Sequence, residues 1–379
     1  MGTFRELDLE FKNGKKIRLN EDYLAPFCEE LLNFLDGEDY MKELSFAKKM
    51  MMSQELKSNN TIEGINDDLS VIDEVIRKKS SISSQERKRI INLYHGYEYI
   101  LTHKVIDKEH IRELYSILSD GILEVYDKQY MGDYYRTRPV YILKGNHLSD
   151  DMFMGMDASR LSYYMDQFFD YVNNDNSHSE IDSFIKSQVM HFYFVYLHPY
   201  FDVNGRTSRT VAMWYLLNNG SYPYIIFNQA IAFAKRKYEQ NIIKGRTGGD
   251  VTLFLKYMLV HVKKELEKEY LIHNISINSR EELSKEDLQM INYLLTMNGN
   301  LTVKDLSTFY NNYNSPKKPS AIFEEKIMPL INKGIILNKG YTNGFITRDE
   351  HNMNIGINPV NVTIDRAKIK HLSLERFML

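Results

Sequence analysis

His198-Pro-Tyr-Phe-Asp202-Val-Asn204-Gly205-Arg206-Thr-Ser-Arg209 lies between two apolar runs of helical spacing. Before it, Ile181, Phe184, Ile185, Val189, Phe192, Val195 and Tyr196 predict a buried helix that ends near Leu197. Pro199 bars simple continuation of that helix. After it, Val211, Trp214, Tyr215 and Leu217 restart the pattern, and Asn218-Asn219-Gly220 supplies a stop. The expected local structure is therefore helix, tight loop, helix. Such a loop delivers backbone amides at the second helix's N-terminus, where the dipole favours an anion. Arg206 and Arg209 are three residues apart and share one face of that helix. His198 is a potential base, Asp202 a hard oxygen ligand, and the amides and arginines are anion donors. Together they are the inventory that transfer from a nucleotide triphosphate requires. A lone His or Arg here would read as a helix cap or a surface charge, but the combined spacing reverses that preference.

The segment resembles the signature of the Fic family, His-Pro-Phe-x-Asp/Glu-Gly-Asn-Gly/Lys-Arg-x-x-Arg. Every specified position matches except Tyr200 and Val203. The resemblance implies transfer of AMP from ATP to a Ser, Thr or Tyr hydroxyl of a protein, which could be this chain itself. It implies His198 as the base and Asp202 as the ligand that holds Mg²⁺ against the α- and β-phosphates. Asn204, Gly205 and the neighbouring amides, Val203 included, would form the anion hole, with Arg206 and Arg209 on the β- and γ-phosphates. Tyr238 falls where such proteins often place a tyrosine near the adenine. Tyr200 can fill a core slot as well as Phe. Val203 stands where Gly is usual, and a β-branched residue resists positive φ. It changes little if φ is negative there, and otherwise it narrows the phosphate cradle. His191, inside the preceding helix, is read as a buried structural histidine.

Two further elements follow from the resemblance. Many Fic proteins carry an inhibitory helix with the pattern Ser/Thr-x-x-x-Glu-Gly/Asn, and this chain has Asn59-Asn60-Thr61-Ile62-Glu63-Gly64. Glu63 would pair with Arg209 and keep the γ-phosphate from docking, because carboxylate and phosphate compete for one guanidinium. Asn59 breaks the pattern, and the alternative is a helix that simply ends at a Gly. The second element is a target-docking flap, matched by Gly132 to Ile142 with Val140-Tyr141-Ile142 as the strand and Lys144-Gly145-Asn146 as the turn. Pro139 argues for a sheet edge, which an extended target segment could extend. A plain structural hairpin weighs equally.

Composition bounds the rest. The 379 residues carry 43% hydrophobic residues, enough for a large core, and a net charge of −3 that gives no general nucleic-acid or anionic-membrane signal. Cys28 is the single cysteine, so no intramolecular disulfide or cysteine zinc cluster can form. The N-terminus lacks a hydrophobic signal core and no run is apolar enough for a membrane span, so a cytoplasmic location is expected. Gly245-Arg-Thr-Gly-Gly249 lacks the Gly-Lys-Ser/Thr ending of a P-loop.

The expected fold is mainly α, a helical Fic-type core with a small hairpin flap and a smaller winged helix-turn-helix-like domain. Residues 1–108 hold a hairpin turning at Asn13-Gly14 and the helical region with the inhibitory motif; 109–275 form the catalytic core. Ser276 to Ser279 reads as a polar linker. Residues 280–350 would be the winged domain, with helices at Lys285–Met297, Thr302–Phe309 and Ser320–Lys333. Its strands Ile335–Leu337 and Phe345–Thr347 would turn at Asn343-Gly344, leaving 351–379 as a tail. Residues 281–348 carry eight basic and seven acidic side chains, which disfavours DNA and favours protein interaction or dimerisation. Transfer of another phosphate-containing group, and a non-catalytic regulator with a vestigial pocket, are the alternatives to an adenylyltransferase.

Overall fold

Strands β1 (Phe4–Glu10) and β2 (Lys16–Asn20) pair antiparallel around Gly14, whose φ of 76° supplies the turn expected at Asn13-Gly14. The structure is a computed structural model that describes residues 3–64, 85–142, 153–174, 179–279, 282–296, 301–341 and 360–374. These residues form two compact units, one ending at Lys264 and one starting at Glu265.

In the first unit Asn20 caps helix α1 (Glu21–Leu35) by accepting from the Tyr23 amide. Cys28 lies half-buried on α1, and burial pushes its thiol up to about 11, so it packs as an inert side chain. Helix α2 (Leu44–Met50), a π-helical turn and α3 (Leu56–Ile62) then run on without a break. Leu56, Asn59, Asn60 and Ile62 of α3 are all buried. Helices α4 (Gln85–Thr102), α5 (Lys108–Ser119) and α6 (Val125–Gln129) follow. Strands β3 (Tyr141–Ile142) and β4 (Phe153–Met154) pair antiparallel as a hairpin, and the turn expected at Lys144-Gly145-Asn146 lies outside the described residues. Helices α7 (Leu161–Asn173), α8 (Glu180–Leu197), α9 (Asn204–Asn218), α10 (Phe227–Phe233), α11 (Lys235–Gly248) and the start of α12 (Thr252–Asn278), whose residues from Glu265 belong to the second unit, complete the order.

Helices α8 and α9 are the pair expected on either side of Pro199. Both are buried nearly all round, which is why their apolar pattern is broad rather than one-sided. Ser179 caps α8 by accepting from the Asp182 amide, and Gly220, at φ 68°, follows the end of α9. Trp214, fully buried on α9, satisfies its indole N–H on the His103 carbonyl at 2.7 Å. The helix pair is thus a rigid base from which the 198–203 loop projects.

The second unit contains α13 (Lys285–Thr296), β5 (Leu301–Thr302), α14 (Val303–Tyr313), α15 (Pro319–Ile322), α16 (Met328–Asn332), β6 (Ile336–Tyr341), β7 (Val360–Ile364) and α17 (Arg366–Leu374). Its sheet is antiparallel, in the order β5-β7-β6. Two expectations change here. Ser276 to Asn278 belong to α12, and the Ser279 amide still bonds to the Ile275 carbonyl, so the polar stretch is helical and not a linker. Residues 360–374 are no tail: β7 is the central strand, and Val362, Ile364, Ile369 and Leu372 lie in the unit's core. The strand expected at Phe345–Thr347 and its Asn343-Gly344 turn lie outside the described residues. Among the described residues no helix is long and apolar enough to cross a membrane.

Candidate functional site

Two non-glycine residues in left-handed backbone conformation shape the loop between α8 and α9. His198 ends α8 at φ 52°, its amide still bonded to the Phe194 carbonyl at 2.9 Å. Val203 precedes α9 at φ 63°. This is the strained alternative for a β-branched side chain, so the departure from Gly is consequential. Asn204 braces the loop with both ends of its side chain: Nδ2 donates to the Tyr200 carbonyl at 2.8 Å and Oδ1 accepts from the Tyr200 amide at 3.0 Å. Its side chain is therefore committed to the turn, and its contribution to an anion hole is the backbone. Tyr200 stacks on Tyr115 with ring centroids 3.6 Å apart, filling the core slot as expected.

The first turn of α9 has no side-chain cap, so the amides of Asn204, Gly205 and Arg206 are left to the loop's concave side. Arg206 is 2% exposed, and among the described residues its Nε and Nη2 have no hydrogen-bond partner. Burial lowers its pKa to about 10, which leaves it cationic at neutral pH. A buried guanidinium with unused donors beside an uncapped helix start is a site built for an anion.

His198 is half-buried, and its Nδ1 takes no hydrogen bond from the described residues. Burial first, then the Arg246 and Arg136 charges, lower its pKa to about 3, so the imidazole is a neutral proton acceptor across the physiological range. Asp202 is half-exposed; its Oδ1 accepts from the Val203 amide at 2.7 Å and its Oδ2 lies 3.8 Å from Arg89. No group of three or more His, Cys, Asp or Glu that could hold a metal occurs among the described residues. Asp202 is instead a single carboxylate at the mouth of the loop. A hard cation would complete that set with substrate phosphate oxygens and water.

Glu63 and Arg209 meet as expected, Glu63 Oε1 accepting from Arg209 Nη2 at 2.6 Å. Burial pushes the Glu63 carboxyl up, but Arg209 and Arg206 beside it more than offset this and hold its pKa below the usual value. Asn59 Oδ1 also accepts from Arg209, from Nε at 2.9 Å and Nη2 at 2.7 Å. A Cβ at Gly205 would stand 2.7 Å from Glu63 Oε1 and 3.1 Å from Arg209 Nη1, so only glycine leaves this approach open.

His191 is fully buried under the loop. The Ser208 hydroxyl donates to the Gly205 carbonyl at 2.9 Å, so at 3.0 Å it accepts from His191 Nδ1. That leaves Nε2 to accept from the Tyr238 hydroxyl at 2.8 Å. The ring is a neutral Nδ1–H tautomer, its pKa lowered to about 3 by burial and by Arg209. Tyr238, expected near an adenine, is thus buried with its hydroxyl committed beneath the loop.

Sequence reasoning missed Arg136. It is 1% exposed, and it donates from Nε to the His198 carbonyl at 2.9 Å, from Nη1 to the Arg138 carbonyl at 2.7 Å, and from Nη2 to the Met156 carbonyl. Its amide bonds to the Pro199 carbonyl, and the Gly155 amide bonds to the Val140 carbonyl at 2.9 Å. Val140, Tyr141 and Ile142 are therefore strapped to the His198 loop. The only signal was an arginine inside a strand-like run, which reads as an ordinary exposed charge.

Comparison with known proteins matches this architecture. Residues 105–216 match the Fic/DOC family. Curated relatives named protein adenylyltransferase Fic include those of Drosophila mojavensis and Drosophila grimshawi. The first is 25% identical over 230 residues, 58% of this chain and 42% of that protein; the second is 26% identical over 224 residues, 58% and 43%. The chain thus spans less than half the length of these relatives. A Fic family protein from Desulfovibrio desulfuricans superposes with a TM-score of 0.54 at 17% identity, over 83% of this chain and 90% of that one. Fic-1 from C. elegans superposes with a TM-score of 0.50 at 18% identity, over 66% and 74%. Both share the fold, and the segment that matches the Fic/DOC family, residues 105–216, contains the His198–Arg209 loop.

Proposed function

We propose that this protein transfers AMP from ATP to a hydroxyl side chain of a protein, its own or a partner's. The observation that carries this is the buried Arg206 guanidinium, whose Nε and Nη2 have no hydrogen-bond partner among the described residues, at the uncapped start of α9, the helix that follows the loop of the neutral His198. His198 accepts the proton of the incoming hydroxyl as its oxygen bonds to the α-phosphorus. The bond from the α-phosphorus to the bridging oxygen breaks, and pyrophosphate leaves with the electron pair. Asn204, Gly205 and Arg206 amides with the Arg206 and Arg209 side chains balance the developing charge, so catalysis rests on positioning and electrostatics. Mg²⁺ held by Asp202 would neutralise the phosphates. Glu63, on the guanidinium that would meet the γ-phosphate, restrains the reaction. The hairpin edge at Val140, Tyr141 and Ile142 receives an extended target segment. The second unit is a winged-helix-like module that contacts protein, a second copy included, in preference to DNA.

The test is labelling with α-labelled ATP and Mg²⁺ using wild type, His198→Ala and Glu63→Gly. The expected result is label that rises in Glu63→Gly and vanishes in His198→Ala. Equal label in wild type and Glu63→Gly would keep the enzyme and remove the brake. Absence of label from all three would overturn the assignment. The left-handed Val203 favours one second reading, a different phosphate-containing donor. Competition of labelled ATP by other nucleotides separates the two.

A further inference from the structure

Arg209 offers its donors along two edges, and the protein uses them differently. Asn59 Oδ1 takes the side edge, bonding to Nε and Nη2, while Glu63 Oε1 takes a remaining Nη2 proton at the tip. Arg209 Nη1 points toward Gly205, at the start of α9. An incoming phosphate would meet the tip, where Glu63 sits, and not the side edge. Asn59 and Glu63 also differ in their freedom to move. Asn59 is fully buried, and its Nδ2 donates to the buried Tyr97 hydroxyl at 3.2 Å, which ties α3 to α4 and α9. Glu63 follows the last residue of α3, a third exposed, and precedes Gly64 at φ 85°.

We infer that Asn59, although it occupies the first position of the inhibitory pattern, is a positioning residue for phosphate binding and not part of the brake. When Glu63 leaves, Asn59 keeps Arg209 aimed by its side edge, and the tip is free for the terminal phosphate of the nucleotide. The choice of an amide matters physically. Its oxygen accepts two bonds without neutralising the guanidinium, so the full positive charge remains for the anion. A carboxylate at the same place would hold the geometry and cancel that charge.

This rests on the proposed nucleotide site, so the test is built on Glu63→Gly, which has the brake removed. Binding of ATP and of AMP is measured by calorimetry for Glu63→Gly, Glu63→Gly/Asn59→Ala and Glu63→Gly/Asn59→Asp, with labelling alongside and thermal melts to follow folding. Both double variants are expected to bind ATP at least about tenfold more weakly than Glu63→Gly, the order expected for losing one charge-assisted hydrogen bond. AMP, which lacks the outer phosphates, is expected to bind all three alike. Asn59→Asp preserves shape and keeps the test valid should Asn59→Ala fail to fold. ATP binding unchanged in Asn59→Asp, or AMP weakened equally with ATP, would overturn the inference. Stronger labelling by Asn59→Ala in the wild-type background would also overturn it, by placing Asn59 in the brake. Absence of ATP binding by Glu63→Gly itself would instead overturn the nucleotide site.

Discussion

At Val203 two effects of similar size oppose each other. Left-handed backbone costs a β-branched residue about 1–3 kcal/mol, while burying its side chain returns about 1.5–3 kcal/mol. Val203→Gly should therefore be near neutral in urea unfolding, whereas Val211→Ala, buried in regular helix, should cost about 2 kcal/mol. Equal losses at the two sites would show that the loop backbone is not strained. The left-handed His198 was not legible in the sequence, and at Val203 only the glycine usual at that position raised the question of positive φ. His191 has a different consequence. Its folded pKa of about 3 lies below the unfolded value of 6.5, so the unfolded chain binds the extra proton. Its contribution to stability is complete above pH 6.5 and falls as pH drops toward 3, by about 1.4 kcal/mol per pH unit. Denaturant melts between pH 7 and 5 should show a shallower slope in His191→Gln, by about 1 kcal/mol per pH unit averaged over that range. An unchanged slope would mean the ring is already charged in the fold.

At the scale of elements, the helix-loop-helix was legible because apolar residues recur at helical spacing on either side of Pro199, and the strand at Tyr141–Ile142 because of its strand propensity. Their mutual attachment was not, because it runs through a buried arginine. Arg136 stays cationic although burial lowers its pKa to about 10. It satisfies three carbonyls, on His198, Arg138 and Met156. Arg136→Met should cost about 2–4 kcal/mol by leaving those acceptors without their donor. It should also lower labelling of a protein target more than ATP binding, because it loosens the β3–β4 hairpin from the His198 loop. A loss confined to ATP binding would place Arg136 in the nucleotide site.

For the whole molecule, the mainly helical class followed from periodicity, and the small charge imbalance gave no contrary signal. The end of the chain did not read correctly. Val360-Asn-Val-Thr-Ile364 alternates as a strand, but it follows a polar run and has no nearby sequence partner. Only its pairing with β5 and β6 reveals it as the middle of a sheet. A stop after residue 350 should therefore make residues 285–341 protease-sensitive while leaving α8 and α9 protected, as read by limited proteolysis and mass spectrometry. Continued protection of residues 285–341 would return 351–379 to the status of a tail.

Glu63 is placed against the electrostatics of its own helix. It stands at the C-terminal end of α3, where exposed carbonyls disfavour a negative charge by about 0.3–1 kcal/mol. Its bond to Arg209 holds the last turn together as well as covering the guanidinium. The Glu63 and Gly64 amides, bonded to the Asn60 and Thr61 carbonyls, depend on that turn. A nucleotide that takes Arg209 removes the counter-charge and leaves a carboxylate facing the helix's negative pole. Hydrogen–deuterium exchange at residues 61–64 should therefore quicken when ATP is added to wild type, while the rest of the fold slows. Substrate binding would then register as local melting, and the free energy of uncoiling one helical turn would set the nucleotide concentration at which the protein responds.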